Sequence, residues 1–381
     1  MSKEGNVFSR SANRRSFLTN GAVAAGAATL GAGLLPGKLA AFDRDRDDDD
    51  AQLTKGDVAI LRFLAAAEII ESDLWIQYAE LGGIGNEQPP EINPNQSMNP
   101  YQTALSNLDG DGPQYIASNT LDEISHATFL NAYLESKGAD PVDLDPFRTL
   151  KGSTATGAST TLLRLTNLMH LNVDTSWFVR YRSTTNPDFG ATFPQAITIT
   201  NRTAIPVSDA DFNSPNNPNH IQVIANTAAF HFGYIEQGGS SLYQALGRKA
   251  TSLEVLKITQ AIGGDEIAHF LEWVDFAGNG VQATVAPVSD SGLTFPDFFN
   301  NPPLQPANLV QPSLIFPVPC EFISAKLPHC AVIRPTDDRF AGAVATIASF
   351  TADGLFVGQS KEFFRVAMQL AEDADAAERG F

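Results

Sequence analysis

The chain has 381 residues, 43% hydrophobic and 18% charged, a balance that supports a packed core and argues against a disordered chain. Its formal net charge of −18 argues against nucleic acid or an anionic membrane as a partner, since both require basic patches. The acidity suits solubility and the attraction of cations instead.

At the N-terminus, Asn13-Arg14-Arg15-Ser16-Phe17-Leu18 precedes a Gly/Ala-rich apolar run from Gly21 to Leu35. Leu39-Ala40-Ala41 then offers a small-residue cleavage site, so residues 1–41 read as a removable export signal. The Arg14-Arg15 pair with Phe17-Leu18 resembles a twin-arginine signal, with Asn13 where that pattern usually carries Ser or Thr. The resemblance implies the twin-arginine export machinery as a partner and a periplasmic or extracellular destination. The apolar run is shorter than the roughly 20 residues a spanning helix needs, so no stable membrane span is expected. Residues 42–53, with Asp47 to Asp50 in a row, read as an acidic solvated linker.

Four helices are predicted over 54–280. The first starts near Thr54, with Asp57 three residues on, and runs to Leu81 before Gly82-Gly83. The second starts at Asp111-Gly112-Pro113, with Pro suited to a first turn, and runs to Lys137-Gly138. The third follows Pro218-Asn219 and ends near Gly247; the fourth opens with Thr251 and Glu254 as a capping box and ends at Gly278-Asn279-Gly280. The connection between the first two is irregular. A long crossover, 138–218, joins the second to the third, with a helix expected over Thr161–Arg182 and a short strand over Ala196–Thr200. Residues 281–381 form an extension rich in Pro, Asn, Val and Phe, closed by an amphipathic helix over Gly358–Ala377. Within it, Cys320 and Cys330 are expected to pair in an oxidising compartment, with free buried thiols as the alternative; no CxxC spacing makes them a metal site.

Each helix carries an ionisable group on its apolar stripe. Glu68 shares a face with Leu61, Leu64, Trp75 and Tyr78; Glu123 and His126 share one with Ile116 and Leu130. Glu236 lies with Ala229, Phe232 and Tyr243, and Glu266 and His269 lie with Ile262 and Trp273. Glu-x-x-His spacing sends both side chains off one helix face, so the pair can grip one metal. The pattern also repeats: Glu68 stands seven before Trp75 and Glu236 seven before Tyr243, each followed in the next helix by Glu-x-x-His. Two divalent cations would balance four buried carboxylates, and mixed oxygen and imidazole donors suit iron or manganese, with zinc also accepted. Glu71, one turn beyond Glu68, could replace or join it. His231 is expected to point away from the Glu236 stripe, and Trp75 and Tyr243 read as core, with a redox relay as the alternative.

Over 54–280 these residues, in this order and with the long crossover, make the chain similar to the ferritin-like superfamily, especially its exported ferritin-like and desiccation-related branch. The resemblance implies an all-α four-helix bundle with a mixed C-terminal extension, and Glu68, Glu123, His126, Glu236, Glu266 and His269 as ligands of two metal ions. It further implies redox chemistry on dioxygen or peroxide in stress protection, or a non-catalytic, metal-stabilised stress protein. Too few cysteines are present for the cysteine-ligated iron domain common in rubrerythrins.

Overall fold

A computed structural model describes residues 53–84, 97–180, 195–214, 217–282, 285–298, 300, 317–318, 324, 326–328, 330–331 and 342–379. The export signal and nearly all of the acidic linker lie outside the described residues, as do Cys320 and the side chain of Cys330.

The described chain is mostly helical. Helix α1 spans Lys55–Gly82, α2 Pro100–Ser106, α3 Gly112–Ser136, α4 Trp177–Arg180, α5 His220–Gly247 and α6 Leu253–Asn279. A ribbon of β1 (Val288–Asp290) with β2 (Leu293–Phe295) follows, then the antiparallel pair β3 (Pro317–Val318) with β4 (Cys330–Ala331). Helices α7 (Ala343–Asp353) and α8 (Lys361–Asp375) close the chain. No described helix is long and apolar enough to cross a membrane.

Helix α1 packs along α3 and α5 along α6, and the two pairs face each other across a continuous apolar core. The expected starts of α1, α3 and α5 are found. Thr54 caps α1 by accepting from the Asp57 N–H at 3.0 Å, which satisfies one of the free donors of the first turn. For α6 the cap is Ser252, not Thr251: Ser252 Oγ accepts from Glu254 N at 3.2 Å. The Thr251 and Ser252 N–H groups instead donate to the Asp57 carboxylate, at 2.8 and 3.1 Å, tying the start of α6 to the start of α1.

The connection between α1 and α3 is not wholly irregular. Asn99 and Gln102 form a capping box that starts α2, and Gln102 also donates to the Gly83 carbonyl.

The crossover departs most from expectation. Among its described residues, helix occupies only Trp177–Arg180 of the segment Thr161–Arg182, and no strand forms over Ala196–Thr200. The backbone of this region is satisfied by distant groups rather than by its own turns. Leu165 N and Thr166 N donate to the buried Asp73 carboxylate of α1 at 3.0 and 2.9 Å. Asn167 N donates to Leu355 O, Asn172 N to Asp353 O, and Leu171 pairs with Arg202 through both backbone groups. Ile197 and Ile199 alternate inward like strand residues, but the Thr175 hydroxyl takes both backbone groups of Ile197, so no ladder is needed.

The C-terminal helices close over the same core. α8 lies on α1 and α7 lies on α8. Asp375 of α8 accepts from Ala343 N and Val344 N, both at 2.9 Å, and so caps α7 from outside its own sequence.

Candidate metal centre

The six residues singled out by spacing converge. Glu68, Glu123, Glu236 and Glu266 are 1% exposed or less, and the two histidines are 8% and 5% exposed, so the polar cluster is sealed inside the apolar core. His126 Nδ1 faces Glu123 Oε2 at 3.3 Å, Glu68 Oε2 at 3.5 Å and Glu266 Oε1 at 3.6 Å. His269 Nδ1 faces Glu123 Oε1 at 3.0 Å and Glu236 Oε2 at 3.4 Å. The two oxygens of Glu123 are therefore divided between the two imidazoles, whose rings lie 6.4 Å apart.

Donor atoms of Glu68, Glu123, His126 and Glu266 lie within 4.8 Å of one another, as do those of Glu123, Glu236 and His269. A third grouping of the same tightness joins Glu71 to Glu236 and Glu266. Glu71 thus joins Glu68 at the centre rather than replacing it, and both face inward because they stand three residues apart on one helix.

Further residues brace this cluster. Asn119, one turn before Glu123, donates from Nδ2 to Glu123 Oε1 and Glu236 Oε1, both at 3.0 Å, and accepts from Trp273 Nε1 at 3.0 Å. The Tyr243 hydroxyl donates to Glu68 Oε1. Asp265 Oδ2 lies 3.2 Å from His126 Nε2, and Asp122 Oδ2 lies 3.5 Å from His269 Nε2. Asn119, Asp122 and Asp265 stand outside the six residues marked by helical spacing. The sequence did carry a signal for the aspartates: each Glu-x-x-His is preceded by Asp.

Charge makes the cluster unstable as a set of bare anions. Burial, then the neighbouring Glu236 charge, pushes the Glu123 carboxyl up to about 8. Burial and the surrounding carboxylates also hold Glu266 and Glu71 well above the carboxylate range. Burial alone would depress His126, but hydrogen bonding to Asp265, Glu123 and Glu68 outweighs it and pushes the imidazole up to about 12. His269 is raised in the same way, by Glu236, Asp122 and Glu123. The site therefore favours added positive charge, whether as protons or as a cation.

The donor set fits metal ions by a second criterion. Glu71 Oε1 and Glu266 Oε2 are buried without a hydrogen-bond partner, and Glu68 Oε2, Glu236 Oε2 and Glu266 Oε1 meet only an imidazole Nδ1, at 3.5, 3.4 and 3.6 Å. Unsatisfied buried oxygens of this kind are costly unless something compensates them, and these converge on common points. Space is also kept open for them: a Cβ added at Gly239 of α5 would overlap Glu266 Oε2. Gly263 of α6 serves the same helix pair differently, since its missing Cβ allows close approach to Tyr243, 2.7 Å from where that atom would stand. The structure therefore contains buried Glu/His groups compatible with metal binding.

No family model, curated protein or solved structure matches this chain.

Proposed function

We propose that this chain is an exported, ferritin-like four-helix bundle whose centre binds two metal ions, iron or manganese, for redox chemistry on dioxygen or peroxide in stress protection. The observation that carries the metal reading is the meeting, from four helices, of buried carboxylate oxygens that have no partner other than each other's imidazoles, and of two imidazole Nδ1 atoms. Glu68 and His126 would hold one ion, Glu236 and His269 the other, with Glu123 and Glu266 shared between them and Glu71 beside Glu236 and Glu266. All donors are oxygen or imidazole nitrogen, which suits iron or manganese; zinc is accepted by the same atoms. Bound there, the metals would supply one-electron redox steps and Lewis acidity.

The protein's own groups have defined tasks. Asp265 and Asp122 engage Nε2 of His126 and His269, so a cation that displaced the Nδ1 proton would find each Nδ1 lone pair directed at the centre. Asn119 fixes one oxygen each of Glu123 and Glu236, and Tyr243 fixes one of Glu68, leaving the other oxygen of each carboxylate for a cation. Nearly complete burial keeps bulk water from screening these charges.

Elemental analysis of natively loaded protein tests the metal reading. Two ions per chain are expected, and Glu123→Ala should remove both; full metal content in that variant refutes the sharing role of Glu123. Consumption of peroxide, or oxidation of ferrous iron, by the loaded protein tests the redox reading. Metal-dependent melting without either activity would leave the non-catalytic, metal-stabilised alternative. The export reading predicts that changing Arg14 and Arg15 together to Lys retains the full-length chain inside the cell; unaltered export refutes it.

A further inference from the structure

We propose that Tyr78, His231 and Asp353 form a proton-coupled redox site, in which Tyr78 gives up an electron toward the carboxylate centre and its phenolic proton passes to His231. The three side chains come from α1, α5 and the end of α7, and each is 2% exposed or less. The Tyr78 hydroxyl lies 2.7 Å from His231 Nδ1, and Asp353 Oδ2 faces His231 Nε2 at 3.3 Å. The spacing argument correctly turns His231 away from the Glu236 stripe; it leads instead to this second cluster.

A buried tyrosine is hard to oxidise unless its proton has an acceptor, because the oxidised phenol is strongly acidic and cannot lose a proton into an apolar core. His231 supplies a base at hydrogen-bond distance, and Asp353, whose proton affinity burial raises, lies 3.3 Å from Nε2, where an imidazolium would draw its carboxyl into the charged form. The step balances simply. The Tyr78 O–H bond breaks, a His231 Nδ1–H bond forms, and one electron leaves, giving a neutral tyrosyl radical beside an imidazolium–carboxylate pair. The electron would go to a transition-metal pair held in a higher oxidation state by Glu68, Glu123, His126, Glu236, Glu266 and His269; to this extent the inference rests on the function proposed above.

Neighbouring aromatic rings connect the two places. The Tyr78 and Trp75 ring centroids are 5.7 Å apart, and Trp75 stacks on Trp273 at 5.3 Å. Trp273 Nε1 donates to Asn119, which in turn donates to Glu123 and Glu236. Neither indole is a good resting place for the oxidised state. Trp75 Nε1 has no hydrogen-bond partner, and Trp273 Nε1 meets only the weakly basic amide oxygen of Asn119. Tyr243 is the competing tyrosine, but its hydroxyl meets Glu68, a carboxylate the centre itself uses. Tyr78 is the aromatic on this path whose proton acceptor is free of the centre.

The test uses the full mature chain as purified, with metal content measured alongside. Photosensitised one-electron oxidation by a ruthenium polypyridyl complex, with persulfate as final acceptor, is followed by freeze-trapping and electron paramagnetic resonance on protein containing deuterated tyrosine. A neutral tyrosyl radical is expected in the wild type and absent in Tyr78→Phe. His231→Asn places an amide oxygen near Nδ1 and so keeps an acceptor without a base; the radical yield should fall roughly a hundredfold, the usual scale of general-base assistance. No radical in the wild type, equal yield in Tyr78→Phe, or equal yield in His231→Asn overturns the proposal. Peroxide added to metal-loaded protein should generate the same Tyr78 radical, and its absence despite verified loading overturns the link to the centre. A chain that binds no metal but forms the Tyr78 radical under photo-oxidation would refute the metal function and leave the tyrosine site standing.

Discussion

Gly239 shows how a single missing methyl group can set the chemistry of a buried site. In the interior of α5 a glycine costs about 1 kcal/mol relative to alanine, so its presence needs a compensating gain. That gain is room for Glu266, whose Oε2 occupies the place a Cβ would take. Gly239→Ala is expected to displace this carboxylate, lower metal content and destabilise the fold by about 1–3 kcal/mol through overpacking. Metal analysis and urea unfolding check this; unchanged metal content would mean that Glu266 is not needed as a ligand.

His220 gives a pH prediction far from that centre. Its ring lies between Asp290, 2.5 Å from Nδ1, and Asp211, 2.9 Å from Nε2, joining the start of α5 to the crossover and to β1. Burial opposes the charged imidazole, but the two carboxylates outweigh it and raise its proton affinity. A raised folded value means that this stabilisation is fully present below the unfolded value of about 6.5 and is lost as pH rises through the folded value. The melting temperature should therefore decline above about pH 6.5, and that decline should shrink in His220→Gln. Parallel pH profiles for the two proteins would exclude this contribution.

The same scale shows the reach of sequence reading. Glu123, His126, Glu266 and His269 were legible because one spacing occurs twice. Asp122 and Asp265 share that repeat, but their side chains are 44% and 46% exposed and look like ordinary surface acids until the helices are brought together. Asn119 gave no signal, since a polar residue one turn from a buried glutamate has many ordinary explanations.

Among the elements, the four long helices were readable from their apolar period and terminal residues, because their hydrogen bonds close within each helix. The crossover was not. Leu165, Leu168 and Leu171 are fully buried and spaced like a helix face, yet their segment is held by Asp73, Leu355, Arg202 and Asp353 from elsewhere in the chain. Local periodicity cannot report partners so distant in sequence. The structure implies that Asp73 is the main anchor. It also accepts from Thr166 Oγ1 at 2.7 Å and pairs with Arg148 at 2.6 Å. Asp73→Ala would strand two buried N–H groups and should cost about 3 kcal/mol, read from the urea midpoint with α1 still helical by circular dichroism. A loss under about 0.5 kcal/mol, the scale of an ordinary surface change, would show that the crossover is held by its apolar contacts alone. The short helix α2 is a different kind of omission. Its Asn99-x-x-Gln102 start is a recognisable capping box, but seven residues carry too little periodicity to mark a helix.

For the molecule as a whole, bound metal and folding should be linked. Ions that bind only the folded chain stabilise it by about 2.7 kcal/mol at a free concentration a hundred times the dissociation constant. Removing metal with a chelator is therefore expected to lower the melting temperature, and restoring iron or manganese to recover it. Calorimetry decides the matter, and a melting temperature indifferent to chelator would count against metals being part of the fold. The C-terminal helices belong to this same unit: α8 lies on α1, and Asp353 of α7 reaches the interior at Tyr78 and His231.

The aspartates that engage the imidazoles are exchanged between the two helix pairs. Asp265, from α6, engages the histidine of α3, while Asp122, from α3, engages the histidine of α6. Asp265 also reaches Nε2 of His269 on its own helix, at 3.8 Å, so one carboxylate from α6 steers both rings and Asp122 adds a contact from α3. Losing Asp265 would therefore loosen both imidazoles, in its own helix pair and in the other.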